Sequence, residues 1–245
     1  MGEKYEDSHV ENIDRFGKIV KLCEAYGTDY NPSNPELSIA NMTLRKEEAD
    51  QLNSELIEDD VTVMMVVNER QDLIKELLRR MRRVKNEVYS TSASKEFKRD
   101  VKALVDKFTG DKVRKPKNKE GEEKKEWVSN SHLGVASRME TFLSLREMLR
   151  IEPTYTPNEP ILTMARLDEA ADKLANLTMS IDEASANAST KRIARNRALY
   201  LEDDGLVDVS LKCKSYVRGV YGARSEEAKE LSKIQLKRFM KVGKI

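Results

Sequence analysis

The sequence predicts an all-α protein built by tandem duplication of a four-helix unit, with long antiparallel helices. Three observations carry that prediction. Tyr155, Pro157, Pro160, Leu162 and Ala165 repeat Tyr30, Pro32, Pro35, Leu37 and Ala40 at a constant offset of 125 residues, without a gap. Apolar residues after each proline turn recur at spacings of three and four, the period of a helix with one buried stripe. Charged residues make up 36% of the 245, against only 10 Gly and 6 Pro, a balance that favours long solvated helices over a turn-rich β protein. The expected organisation is a first helical repeat at 1–110, a polar linker or long loop at 111–130, and a second repeat at 131–245.

Taken in order, residues 1–10 are polar and expected to be loose, which leaves His9 in a tail. Ile13, Phe16, Ile19, Val20 and Cys23 predict a first helix over 11–25, closed by Gly27. A second helix is expected from near Glu36, with Met42, Ala49, Leu52, Leu56 and Val63 on its buried stripe. Inside it Val61-Thr62-Val63-Met64-Met65-Val66-Val67 has strand-like propensity. The 125-residue offset places its counterpart within the long helix of the second repeat, so helix is the reading here too. By analogy with Asp203-Asp204-Gly205, a break is expected near Gln71-Asp72. A third helix then carries Leu73, Leu77, Met81, Val84 and Val88, and a fourth runs from Lys95 to Phe108 before Gly110. The second repeat follows the same plan, with helices at 133–150, 160–201, 206–221 and 226–240, the last with Ser225 as N-cap.

Net charge is +1, which gives no global attraction to nucleic acid or anionic lipid. The distribution is uneven: residues 1–68 hold 6 Lys/Arg against 15 Asp/Glu, net −9, and residues 69–125 hold 19 against 11, net +8. A hairpin at residue 72 would bring Arg83 level with Asp60 and Lys85 level with Glu58, so that the two segments neutralise each other. Neither an N-terminal apolar segment nor an apolar run of roughly 18 residues is present, so the cytoplasm is the expected compartment.

The pattern Tyr155-x-Pro157-Asn158-Glu159, Ala194-Arg195-x-Arg197-x-Leu199-Tyr200, Gly205-Leu206-Val207-Asp208, Lys214-x-Tyr216-Val217 and Gly222-Ala223-x-Ser225 resembles a family of duplicated all-α bacterial proteins. The resemblance covers nearly the whole chain and is most specific in the second half. The first half departs from it in lacking a clear breaker near residue 72. What it implies is a helical fold and a bacterial origin; it implies no mechanism.

Motifs for catalysis are sparse. His9 and His132 are the only histidines and Cys23 and Cys213 the only cysteines, so neither a clustered metal site nor a disulfide framework is expected. The cysteines lie in matching contexts, one per half, and read as small buried thiols. No Gly-x-Ser-x-Gly elbow or phosphate-cradling glycine loop occurs. No catalytic residue, cofactor or metal is assigned. Two candidate contact regions remain. Met64, Met65, Val66 and Val67 have the polar or charged counterparts Ser189, Thr190, Lys191 and Arg192, so the first repeat has something to cover there that the second does not. Arg79, Arg80, Arg82, Arg83 and Lys85, with Lys115 and Lys117, could track an anion such as a phosphate backbone, although no aromatic stacking platform accompanies them. The expected function is a non-enzymatic binding or structural helical bundle that contacts another protein or itself. The alternative is a nucleic-acid-associated protein using the basic region 79–119.

Overall fold

A computed structural model describes residues 3–110 and 134–240. Among them every regular element is helical: α1 (Glu3–Ala25), α2 (Ile39–Ser90), α3 (Lys95–Thr109), α4 (Val135–Ile151), α5 (Met164–Tyr200), α6 (Leu206–Tyr221) and α7 (Glu226–Lys233). Short 3-10 turns at Pro35–Leu37 and Pro160–Leu162 introduce α2 and α5, each with proline at its start, where the missing N–H costs little. The polar stretch 111–130, with His132, lies outside the described residues.

The largest departure from expectation is α2. It runs unbroken from Ile39 to Ser90, through Gln71 and Asp72. Helix propagation adds one hydrogen bond per residue fixed, and nothing at 68–76 is Gly or Pro to interrupt it. The hairpin therefore does not exist. Arg83 and Asp60 stand on one helix instead of on two facing ones, and the expected mutual neutralisation of the −9 and +8 segments fails with it. The chain does break at Asp203-Asp204-Gly205, between α5 and α6, and Gly205 explains why. A Cβ there would lie 2.7 Å from Leu199 O, Tyr200 N and Leu201 N, closer than real side chains approach. Asp203 takes up a left-handed φ of 68°, and its N–H donates to Asp208 Oδ2 at 2.8 Å.

The chain divides into two compact units, each drawing on both halves of the sequence: Met1–Val63 with Glu183–Ile245, and Met64–Asp182. In the first, α1 buries Ile13, Phe16, Ile19 and Cys23 in a core completed by Leu206, Val209, Cys213 and Val217 of α6. Burying a side chain of Phe or Ile size fully contributes about 1.5–3 kcal/mol. α1 starts at Glu3, so His9 is no tail residue. It is 3% exposed, and its Nδ1 lies 2.6 Å from Tyr200 Oη. His9, Asn12 and Phe16 continue the buried stripe backward at helical spacing, which a hydrogen-bonded polar group can do without a desolvation penalty left uncompensated. α7 ends at Lys233 rather than near residue 240. Beyond it the backbone finds side-chain partners: Asn12 donates to Lys237 O at 2.7 Å and accepts from Lys237 N at 2.9 Å, while Arg15 donates to Gln235 O at 2.8 Å. Groups satisfied this way have no need of further helix.

In the second unit α3 is capped by Ser94, whose Oγ accepts from Phe97 N, and ends at Gly110 in the left-handed region at φ 73°. Leu77, Met81, Val84 and Val88 of α2 pack with Val101, Val105 and Phe108 of α3, Phe142, Leu145 and Leu149 of α4, and Leu167 and Leu174 of α5. The apolar stripe of the expected third helix thus belongs to a core made with α3, α4 and α5.

Candidate functional site

The repeated proline turns are built by the same bond. Tyr30 Oη donates to Leu37 O at 2.8 Å, and Tyr155 Oη donates to Leu162 O at 2.7 Å. Both rings are buried, and burial pushes both phenols well above their ordinary range. These tyrosines clamp the entry to the long helices by satisfying a carbonyl that the 3-10 turn leaves over.

Of the apolar candidates, the structure separates two pairs. Met64 and Met65 are 56% and 64% exposed, whereas Val66 and Val67 are half-buried and Val66 packs against the core of the second unit. Ile57 and Val61, earlier on α2, are also exposed. Spacings of four and three put Ile57, Val61 and Met64 on one face of that helix.

The basic run is likewise split. Arg79, Arg82 and Arg83 are exposed, and Arg80 and Lys85 are half-buried. Arg80 bonds to Glu76 and donates to Arg166 O at 3.1 Å. Arg83 lies 3.9 Å from Glu159 and Lys85 lies 3.8 Å from Asp106. Lys115 and Lys117 lie outside the described residues. Arg80 also lines an open depression of about 420 Å³ in the second unit with Leu73, Arg166, Glu169 and Lys173. Its cations already have carboxylate partners: Arg166 lies 2.5 Å from Glu169 and Lys173 lies 2.8 Å from Glu69.

Two carboxylates of the acidic segment find partners on α5. Glu55 pairs with Lys191, and Asp60 lies 2.9 Å from Arg192. The hydrogen bond from Lys191 holds the Glu55 carboxyl below its usual range, with a further contribution from Gln51.

Two polar features of the first unit were not legible as such. One is the cluster of His9, Asn12 and Tyr200, with Asn12 Nδ2 3.2 Å from Tyr200 Oη and Phe239 edge-on to both rings. The other joins the two thiols: Cys23 Sγ lies 3.3 Å from Cys213 Sγ, and Tyr30 Oη lies 3.5 Å from Cys213 Sγ. Burial of each cysteine is as expected; their pairing across 190 residues has no local signal. Among the described residues no group of three or more His, Cys, Asp or Glu could hold a metal ion, and no helix is long and apolar enough to cross a membrane. Compared with family models, curated proteins and solved structures, the chain has no significant match.

Proposed function

We propose that this chain is a non-catalytic helical-bundle protein acting as a protein–protein interaction module, its contact face on α2 around Met64 and Met65. The exposure of those two methionines carries the reading. Methionine is a flexible apolar side chain often used at adaptable contact surfaces, and contiguous exposed apolar residues mark interaction sites more often than idle surface. The occupant is another protein or a second copy of the chain, in a cytoplasmic setting.

The scaffold belongs to the same proposal: a tandem duplication, like that of the all-α bacterial family it resembles, in which the repeats of this chain exchange their C-terminal helices. Four observations support it: the matched tyrosine bonds, the 3-10 turns 125 residues apart, the caps at Ser94 and Ser225, each accepting from the amide three residues on, and the reciprocal membership of the two units. The first unit takes α1 from one repeat with α6 and α7 from the other, and the second takes α4 with the end of α2 and α3. Pairings in the second unit run Glu69 with Lys173, Arg80 with Arg166 and Arg83 with Glu159. Numbers that fall on one side as they rise on the other support an antiparallel course for α2 and α5.

The test is light scattering over a concentration series, with affinity capture run in parallel, on wild type and on M64K/M65K. The wild type is expected to self-associate or to retain a defined partner, and the variant to lose this with its helical content unchanged. Equal behaviour of the two would remove the methionines from any interface. A second reading rests on the exposure of Arg79, Arg82 and Arg83 at helical spacing: binding to a nucleic-acid backbone. A gel shift at two salt concentrations tests it, since phosphate contacts lose affinity steeply with salt.

A further inference from the structure

In the first unit Cys23 on α1 and Cys213 on α6 hold their sulfurs 3.3 Å apart, with both residues fully buried. We propose that they form a redox site: the pair closes into a reversible disulfide that clamps α1 to α6, with a hydroperoxide as oxidant and a low-molecular-weight thiol as reductant.

Geometry supplies the first argument. A disulfide has its sulfurs about 2.05 Å apart, so the two already in contact have little more than 1 Å to close. No third side chain stands between them.

The hydrogen-bond order supplies the second. Tyr30 has one hydroxyl hydrogen, and it goes to Leu37 O, the nearer and stronger acceptor at 2.8 Å. Tyr30 Oη also stands 3.5 Å from Cys213 Sγ, and between the two sulfurs Cys23 is the donor and Cys213 the acceptor. In that order the bond from Cys23 holds the Cys213 thiol below its ordinary value, and giving that bond, together with burial, pushes the Cys23 thiol up. Cys213 is the sulfur that ionises first, and the thiolate is the nucleophile.

The third argument rests on the repeat reading given above. The buried stripe Phe16, Ile19 and Cys23 overlays Phe142, Leu145 and Leu149 at an offset of 126, so the counterpart of Cys23 is Leu149. The buried stripe Leu206, Ser210, Cys213 and Val217 overlays Leu77, Met81, Val84 and Val88 at an offset of 129, four residues being added by the loop before α6. The second unit thus fills the equivalent positions with Leu149 and Val84, and both are buried in its core. The fold makes the same junction without sulfur, so packing alone does not account for two thiols in contact.

The chemistry balances in two steps. The Cys213 thiolate attacks one oxygen of the hydroperoxide and the O–O bond breaks. The departing alkoxide takes up the proton that Cys213 released, leaving a sulfenic acid. Cys23 sulfur then attacks Cys213 Sγ and the S–O bond breaks. The hydroxyl leaves as water with the Cys23 proton. Two thiols have lost two electrons, and the peroxide has become an alcohol and water. Because both sulfurs are buried, the first step follows local parting of α1 from α6. The finished bond joins residues 190 apart in sequence and suppresses that parting.

The full chain is treated with hydrogen peroxide, alkylated and digested without reductant, in buffer and again in urea below the unfolding transition. Expected are a monomeric product with both free thiols lost, a peptide cross-linking Cys23 to Cys213, and faster formation in mild urea. The melting temperature should rise by roughly 5–15 °C and return with dithiothreitol. C213S, checked for native helical content, should show neither the cross-link nor the rise. Thiols that survive peroxide in mild urea overturn the proposal, as do sulfinic acids or inter-chain dimers as the main product. A cross-linked protein that melts like the reduced one overturns the clamp. None of these results depends on M64K/M65K, so failure of the interaction reading would be seen separately.

Discussion

Replacing Gly205 by alanine should destabilise the fold well beyond what an N-cap change costs, and Gly134 provides the control. Both glycines are helix N-caps with no side-chain cap bond and nearly the same backbone: φ −70°, ψ 159° before α6 and φ −62°, ψ 151° before α4. They differ in what a Cβ would meet. At Gly134 nothing lies within 4 Å, whereas at Gly205 three backbone atoms of Leu199, Tyr200 and Leu201 lie at 2.7 Å. Relief to an ordinary contact of 3.4 Å needs a shift of about 0.7 Å, and that shift falls on backbone flanked by buried Tyr200 and Leu206. Forced overpacking of this kind costs about 1–3 kcal/mol, on top of a cap term of about 0.5–1 kcal/mol shared by both variants. Urea unfolding followed by circular dichroism should place G134A within about 1 kcal/mol of wild type and G205A about 2–4 kcal/mol below it. On the thermal scale that is roughly 2–4 °C for each kcal/mol in a chain of this size. Equal losses in the two variants would refute the steric account of why the helix breaks before α6.

The clamping tyrosines and the inter-helix ion pairs give two further expectations. Y30F and Y155F should each lower stability by about 1–3 kcal/mol, because Leu37 O or Leu162 O is left buried and unpaired. In wild type the raised phenols (Tyr26 up to about 12, chiefly by burial) make stability complete below pH 10 and declining above it, as unfolded tyrosines ionise first. The two Phe variants should flatten that alkaline decline in pH-dependent melts, and an unchanged slope would contradict it. E55K should lower the melting temperature at low salt and K191E in the same chain should restore it, the effect fading as salt screens the pair. Reversing Glu58, Asp59 and Asp60 should give no rescue of R82E/R83E/K85E, since the two groups lie far apart along α2.

Much of the fold was legible because it depends on neighbours in sequence. The helical period, the proline turns and the Ser94, Gly110 and Ser225 punctuation are local rules, and α3 and α6 stand where those rules put them. The helical state of Val61–Val67 was legible for another reason, since the internal offset outweighed strand propensity. Analogy between the two stretches failed where their residues differ. The break after α5 needs Gly205 and a left-handed Asp203, and α2 has no residue able to do either job near Gln71. The partners of the charged segments were beyond reach, because charge composition says that Glu55 and Asp60 need cations and not which helix brings them. The same holds for His9 with Tyr200 and Cys23 with Cys213. What the sequence by itself determined is the helical class and which helix faces are apolar, because 3.6-residue periodicity and caps act within a few residues. Only the tertiary structure decided which helices share a core and which thiols and charges meet, because those contacts join different helices, up to 190 residues apart for the two thiols, where no short-range pattern reaches.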